Sequence, residues 1–410
     1  MKVTQKLASL ALAACLGAFP FSPGIAQAEG DAIIEAVPTT VNATPSEVGQ
    51  FDVRLLAAIR EARTKLTNLV EAEKADPNRS QETVPNQASP VKVTIAVWDA
   101  ASGEVVYVGA TKQGRTVTPN SGSRFTFKVL SDNGVNTALA LLNSPGSYVV
   151  GLVHPIFRSV GTKRKPKFEL ESVAYVPYTS ELRNPYLVEV GSSYFEQKVA
   201  NVFAEIRALG LRSRAEPSQL LADVVHPAVV KSIIAIEHVG SSKQLVGDLA
   251  AYLDRFYVTL ATNEHRAYAY AKSTAAARGL VQFIPSTYRA LTQLRPDLVV
   301  PLDFENGMLD PYSAIKATVA LLDYNLSLLP KNLRERYRKD DRALGAYLAA
   351  AYNGGPSRVI RAHRAYGENW YRYQARRSSS LKRETVDYVA KYQLVFDHFS
   401  TPALHLAAED

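Results

Sequence analysis

The spacing of apolar positions changes several times along the chain. From Phe51 to Ala75, Val53, Leu56, Ile59, Leu66, Leu69 and Val70 recur at helical spacing among charged residues. This predicts an amphipathic helix over 51–76 that stops at Asp76-Pro77. Residues 77–90 carry three prolines and almost nothing apolar, the composition of a linker. Between 91 and 192 the chain reads as strands: VKVTIAVW, EVVYVGA, RFTFKVL, SYVVGLV and FELESVAYV alternate or bunch β-branched and aromatic residues. Ala101-Ser102-Gly103, Asp132-Asn133-Gly134 and Ser144-Pro145-Gly146 supply the turns between them. Short strands of this kind predict a small sandwich or barrel. From about 195 to 400 the helical period returns, first through Val199, Val202, Phe203, Ile206 and Leu209. Pro227 opens a further helix, and periodic segments recur at 243–260, 311–329, 341–352 and 384–398. The expected fold class is therefore α+β in two domains: a β-rich, sandwich-like one over 91–192, then an all-α one over 195–400.

The first residues follow a different logic. Lys2 and Lys6 precede an apolar stretch from Leu7 to Phe19, and Ala26-Gln27-Ala28 follows Pro23-Gly24. This is the pattern of a secretory signal peptide over 1–28, which predicts export to the periplasm. Cys15, the only cysteine, ends Leu12-Ala13-Ala14-Cys15, which resembles a lipobox and offers a lipoprotein anchor as the alternative. Plain secretion is preferred, because Leu16 to Phe21 stay apolar and Ala26-Gln27-Ala28 would otherwise be redundant. The mature chain has no second thiol in either case, so thiolate metal sites and an intramolecular disulfide are excluded. Residues 29–50 read as a small, polar leader and 401–410 as a tail.

Composition alters the picture little. Lys and Arg total 47 against 39 Asp and Glu, a net +8 that favours an anionic partner. No nucleic-acid motif accompanies the charge, so nucleic-acid binding is not expected. An anionic envelope polymer fits as well.

Candidate chemistry begins at HPAVVKSIIAIEHV, His226 to Val239. Val230, Ile233, Ile234 and Glu237 share one face at helical spacing. A carboxyl on an apolar face must be paired, or held protonated by desolvation. The second state is what glycosidic cleavage asks of an acid. Taken alone, this helix fits a structural, paired glutamate better.

Four ordered motifs change that. Ser273 to Tyr288, STAAARGLVQFIPSTY, closely resembles the Ser-x-x-Gly-Ala-x-Gly-Leu-Met-Gln-x-x-Pro-x-Thr segment of SLT-type lytic transglycosylases and goose-type lysozyme relatives. Ala276 stands for the first glycine and Val281 for the methionine. His226 to Glu237 resembles the catalytic helix of that family, Ala351 to Val359 its Ala-Tyr-Asn-x-Gly-Pro-x-x-Val, and Glu384 to Val389 its Glu-Thr-x-x-Tyr-Val. The resemblance spans about 195–400 and implies a lysozyme-like (SLT) domain there.

It also implies roles. Glu237 matches the general acid and base. Ser273 and Gln282 match saccharide contacts, Tyr352 and Tyr388 the tyrosines that orient the glutamate, and Asn353 a substrate-side amide. Gly279 is expected to let the backbone approach a sugar. No metal or organic cofactor is implied. The substrate implied is a peptidoglycan glycan strand, cut between N-acetylmuramic acid and N-acetylglucosamine to leave 1,6-anhydro ends. The β-rich domain holds no catalytic constellation and is expected to bind or space, with an envelope protein as a candidate partner.

Two departures stand out. His238 replaces the serine that follows the catalytic glutamate in the family. From Glu237 to Ser273 the chain runs 273 − 237 = 36 positions, far beyond the usual short loop. Leu245, Leu249, Tyr252, Phe256 and Leu260 predict an added helix in that insert, beside the cleft. The rival activities are a goose-lysozyme-like hydrolase, with Asp248, Asp254 or Glu264 as second carboxylate, and a non-catalytic wall-binding protein.

Overall fold

A computed structural model describes residues 45–75, 90–159, 168–372 and 381–400. The signal peptide with Cys15, most of the 29–50 leader, nearly all of the 77–90 linker and the 401–410 tail lie outside the described residues. The chain has a β-rich N-terminal region and a helical C-terminal region. It divides into two compact units that interleave in sequence. One takes Phe195–Phe256 and the described residues from Lys272 onward. The other takes Tyr257–Ala271 with the described residues up to Tyr194.

The β-rich unit is built on a five-stranded antiparallel sheet ordered β3-β2-β1-β6-β7. Its strands are β1 (Val91–Asp99), β2 (Val105–Gln113), β3 (Thr116–Pro119), β6 (Ser147–Ser159) and β7 (Phe168–Tyr175). Strand β1 is central because it is apolar on both faces. Val93, Ile95 and Val97 face one core with Phe127, Val129 and Leu139 of a separate hairpin, β4 (Thr126–Ser131) and β5 (Ala138–Leu142). Ala96 and Trp98 face the other, against helix α1 (Pro45–Ala75), which contributes Leu55, Ile59, Ala62 and Leu66. The layers are thus helix, sheet and hairpin rather than two comparable sheets, and the predicted amphipathic helix supplies the missing layer. A Cβ on Gly151 would stand 2.5 Å from a Leu66 methyl, so β6 needs glycine where α1 crosses it.

Two long helices follow: α2 (Pro185–Ala208) and, in the insert, α4 (Ser242–Asn263). The added helix is present, but residues 257–271 belong to the β-rich unit. Val258 and Ala261 enter the core beneath α1. Asn263 extends the end of β7 with its side chain: Oδ1 accepts from Val176 N at 2.8 Å and Nδ2 donates to Val176 O at 3.0 Å.

The helical unit surrounds α3 (Pro227–Ile236) with α7 (Pro311–Leu328), α9 (Asp341–Gly354) and α11 (Arg383–Ser400). Helices α5 (Pro285–Leu294), α6 (Phe304–Leu309), α8 (Lys331–Tyr337) and α10 (Pro356–Tyr366) complete it. Every residue from Ala228 to Ile236 is buried. Beyond the single apolar stripe expected of it, this helix is buried on every side, Lys231 and Ser232 included, the pattern of a helix at the centre of a core. Among the described residues no helix is long and apolar enough to cross a membrane.

Candidate active site

Helix α3 opens on His226, whose ring accepts from Ala228 N at 3.2 Å, with Pro227 in the first turn. It ends one residue before Glu237, so this carboxyl sits at the helix C-terminus and not within a helical stripe. The negative end of the helix dipole disfavours ionisation there. Glu237 is 8% exposed, and burial pushes its carboxyl up to about 7. The nearby Glu384 adds to the rise, while Tyr388 and Lys391 oppose it.

Helix α11 supplies three of these groups. Glu384, Tyr388 and Lys391 follow one another at i, i+4 and i+7, on one helix face. The Tyr388 hydroxyl donates to Glu237 Oε1 at 2.6 Å. Burial and the adjacent carboxylate hold the Tyr388 phenol well above its ordinary range, so it stays a donor. With Oε1 engaged as acceptor, the proton of a neutral Glu237 resides on Oε2. Lys391 is buried, and its Nζ donates to Ile236 O at 3.0 Å, closing the open end of α3. Because its charge favours the carboxylate, Lys391→Met is expected to raise the Glu237 midpoint above about 7. A ¹³C-detected titration of the Glu237 side chain reads that midpoint. An unmoved value would confine Lys391 to the helix end.

The Gly279–Phe283 turn is the second part of the site. Tyr352 of α9, itself affected by the Glu237 charge, donates to Val281 O at 2.5 Å. Gln282 adopts a left-handed backbone at φ +48, and its Nε2 donates to Gly279 O at 2.8 Å. The amide expected to contact the saccharide thus uses one donor within the turn. Gly279, at φ +75, is also required by packing: a Cβ there would lie 2.6 Å from Met308 O of α6. Gln282 and Tyr352 also line a small pocket with Phe283, Ile284, Thr287, Leu321, Asn325 and Ala351.

The remaining predicted residues divide. Asn353 is buried; it accepts from Thr385 Oγ1 at 2.8 Å and bonds the Glu384 carboxyl, joining α9 to α11. The Ser273 hydroxyl accepts from Ala277 N at 3.1 Å within its own turn. In that turn Ala276 stands at φ +61, where the resembled family carries glycine. Ala276→Gly is expected to stabilise the fold by about 0.5–1 kcal/mol through relief of the left-handed strain. A higher urea midpoint would register it, and a lower one would show that the turn does not strain alanine.

Glu384 and Lys391 are the groups that sequence reasoning missed, although their i, i+4, i+7 spacing about Tyr388 was the available signal. The three carboxylates proposed as a hydrolytic partner each have another neighbour. Glu264 belongs to the β-rich unit and pairs with Arg63 at 3.0 Å. Asp248 accepts from Ala251 N at 2.9 Å at a kink in α4, and Asp254 lies near His398.

Residues 251–374 match the family described as Transglycosylase SLT domain. The helical C-terminal region thus matches the SLT domain. No curated protein and no solved structure matches the chain significantly. The matched SLT segment holds Ser273, Gln282, Tyr352 and Asn353. Glu237 precedes it by 251 − 237 = 14 positions and Tyr388 follows it. These two join the SLT residues through geometry: the Tyr388 hydroxyl on Glu237, and Tyr352 between Glu237 and the turn.

Proposed function

We propose that the chain is an exported peptidoglycan lytic transglycosylase in which Glu237 is the sole acid and base. The observation that carries this reading is a buried carboxyl raised to about 7, bonded by Tyr388, beside residues of a matched SLT domain. A carboxyl near its midpoint at neutral pH can both give and take a proton. Glu237 Oε2 protonates the oxygen bridging N-acetylmuramic acid to N-acetylglucosamine, and the C1–O bond breaks as positive charge develops on the muramic ring. The Glu237 carboxylate then takes the proton of the muramic C6 hydroxyl, whose oxygen bonds to C1. The product is a 1,6-anhydro end, and no water is consumed. The N-terminal signal pattern supports action in the periplasm. A binding or spacing role, with an envelope protein as partner, is proposed for the β-rich unit.

Hydrolysis is the second reading, and one observation favours it. Glu384 acts electrostatically on Glu237, burial raises its own midpoint, and its Oε1 is buried without a hydrogen-bond partner. A second carboxylate so placed could activate water. Incubation of the purified protein with isolated sacculi tests both activities together. Release of soluble muropeptides is expected, and sacculi left intact would leave only the non-catalytic wall-binding alternative.

A further inference from the structure

The two departures from the SLT pattern, His238 and the long insert, meet in space. His238 follows Glu237, and its Nε2 lies 2.7 Å from Leu280 O. A carbonyl can only accept, so the ring must carry a proton on Nε2. Burial holds the imidazole down to about 4, which makes the neutral Nε2–H form the one present at neutral pH. The ring stacks at 15° on Phe256 of α4, with centroids 6.3 Å apart. Phe256 is itself fixed edge-on to Phe195 at 5.2 Å.

The insert helix is tied to the site at its other end as well. Asp387, one residue before Tyr388, accepts from the Ser242 amide at 3.2 Å and from the Ser242 hydroxyl, at the start of α4. The helix then breaks at Asp248 and restarts. That break lets the second segment take its own direction, and Phe256 lies on it.

What these contacts hold is a turn that needs holding. Gln282 is a non-glycine residue at left-handed φ, a conformation kept only where the surroundings impose it. Two consecutive carbonyls of the turn are clamped, Leu280 O by His238 and Val281 O by Tyr352.

We propose that His238, braced by Phe256 of the insert helix, is a positioning residue that fixes the Gly279–Phe283 turn for glycan binding. Its readout in binding rests on the transglycosylase reading, whereas its effect on the turn does not. The insert thereby becomes a part of the substrate site that acts through one ring.

The test uses the full chain and the variants His238→Ser, His238→Gln and Phe256→Leu. Hydrogen exchange is followed at the Arg278 and Gln282 amides, which donate to Phe283 O and Gly279 O. His238→Ser and Phe256→Leu should each speed exchange there by about tenfold or more, with α11 amides unchanged. His238→Gln, which keeps a donor for Leu280 O, should recover part of the protection. With soluble glycan oligomers from peptidoglycan, KM should rise about fivefold or more while kcat and its pH profile stay put. Unchanged exchange in both His238→Ser and Phe256→Leu would overturn the proposal. So would a fall in kcat with a displaced pH profile and constant KM, which would place His238 in the proton chemistry. A wild-type protein without turnover would count against the transglycosylase reading alone, because exchange at the turn would still decide the role of His238.

Discussion

Glu237→Gln is expected to lower turnover near neutral pH by about 10²–10⁴-fold, the contribution of a positioned general acid and base. The same change should make the protein more stable at alkaline pH. The Glu237 carboxyl has an ordinary midpoint of 4.5 and a folded one of about 7, so the folded chain binds this proton more tightly. Below about pH 4.5 the group is protonated whether folded or not, and folding carries no penalty from it. The penalty grows as the pH rises from 4.5 to about 7 and is complete above that. Its size is on the order of 3 kcal/mol, from about 1.4 kcal/mol per pH unit over that interval. Glutamine never ionises and never carries it. Thermal unfolding of the two proteins should coincide near pH 4 and separate near pH 8, with the variant higher. Equal midpoints at both pH values would mean that Glu237 is not held in a desolvated setting.

Tyr388→Phe should have the next largest effect. The phenol stabilises the carboxylate that Glu237 becomes on giving up its proton, through a buried 2.6 Å bond. A bond to a charged acceptor contributes roughly 1.5–3 kcal/mol, so turnover should fall about 10–100-fold. Loss of that donor also moves the Glu237 midpoint above about 7, because the hydroxyl holds it down. Activity falls at alkaline pH as Glu237 loses the proton it must donate, so the alkaline limb of kcat should shift to higher pH in the variant. A limb that moves downward, or a variant as active as the wild type, would remove Tyr388 from the account.

Much of this site could be read along the chain because its chemistry is written in short local motifs. The Gly279–Gln282 turn, Tyr352-Asn353 and Glu384 to Tyr388 each carry their meaning within a few residues. The periodic segments were likewise found close to where helices α4, α7, α9 and α11 run. What could not be read was which distant group answers which. Periodicity placed Lys391 on a helix, but only packing brings its ammonium to Ile236 O, 155 residues away. Gly279 was legible as a close approach, while its packing against the Met308 backbone is a tertiary feature. The insert was legible as a helix, while the entry of Val258 and Ala261 into the core beneath α1 is a tertiary choice. In α3 an apolar stripe did not reveal a central helix, because packing buries its polar positions, Lys231 and Ser232, as well.

In the proposed reaction one carboxyl cuts the glycan without water. Digestion of sacculi in H₂¹⁸O, followed by mass spectrometry of the released muropeptides, tests that directly. The prediction is muramic ends one water lighter than reducing ends and free of ¹⁸O. Reducing muramic ends that carry ¹⁸O would contradict it and would place a water, activated beside Glu384, in the reaction instead.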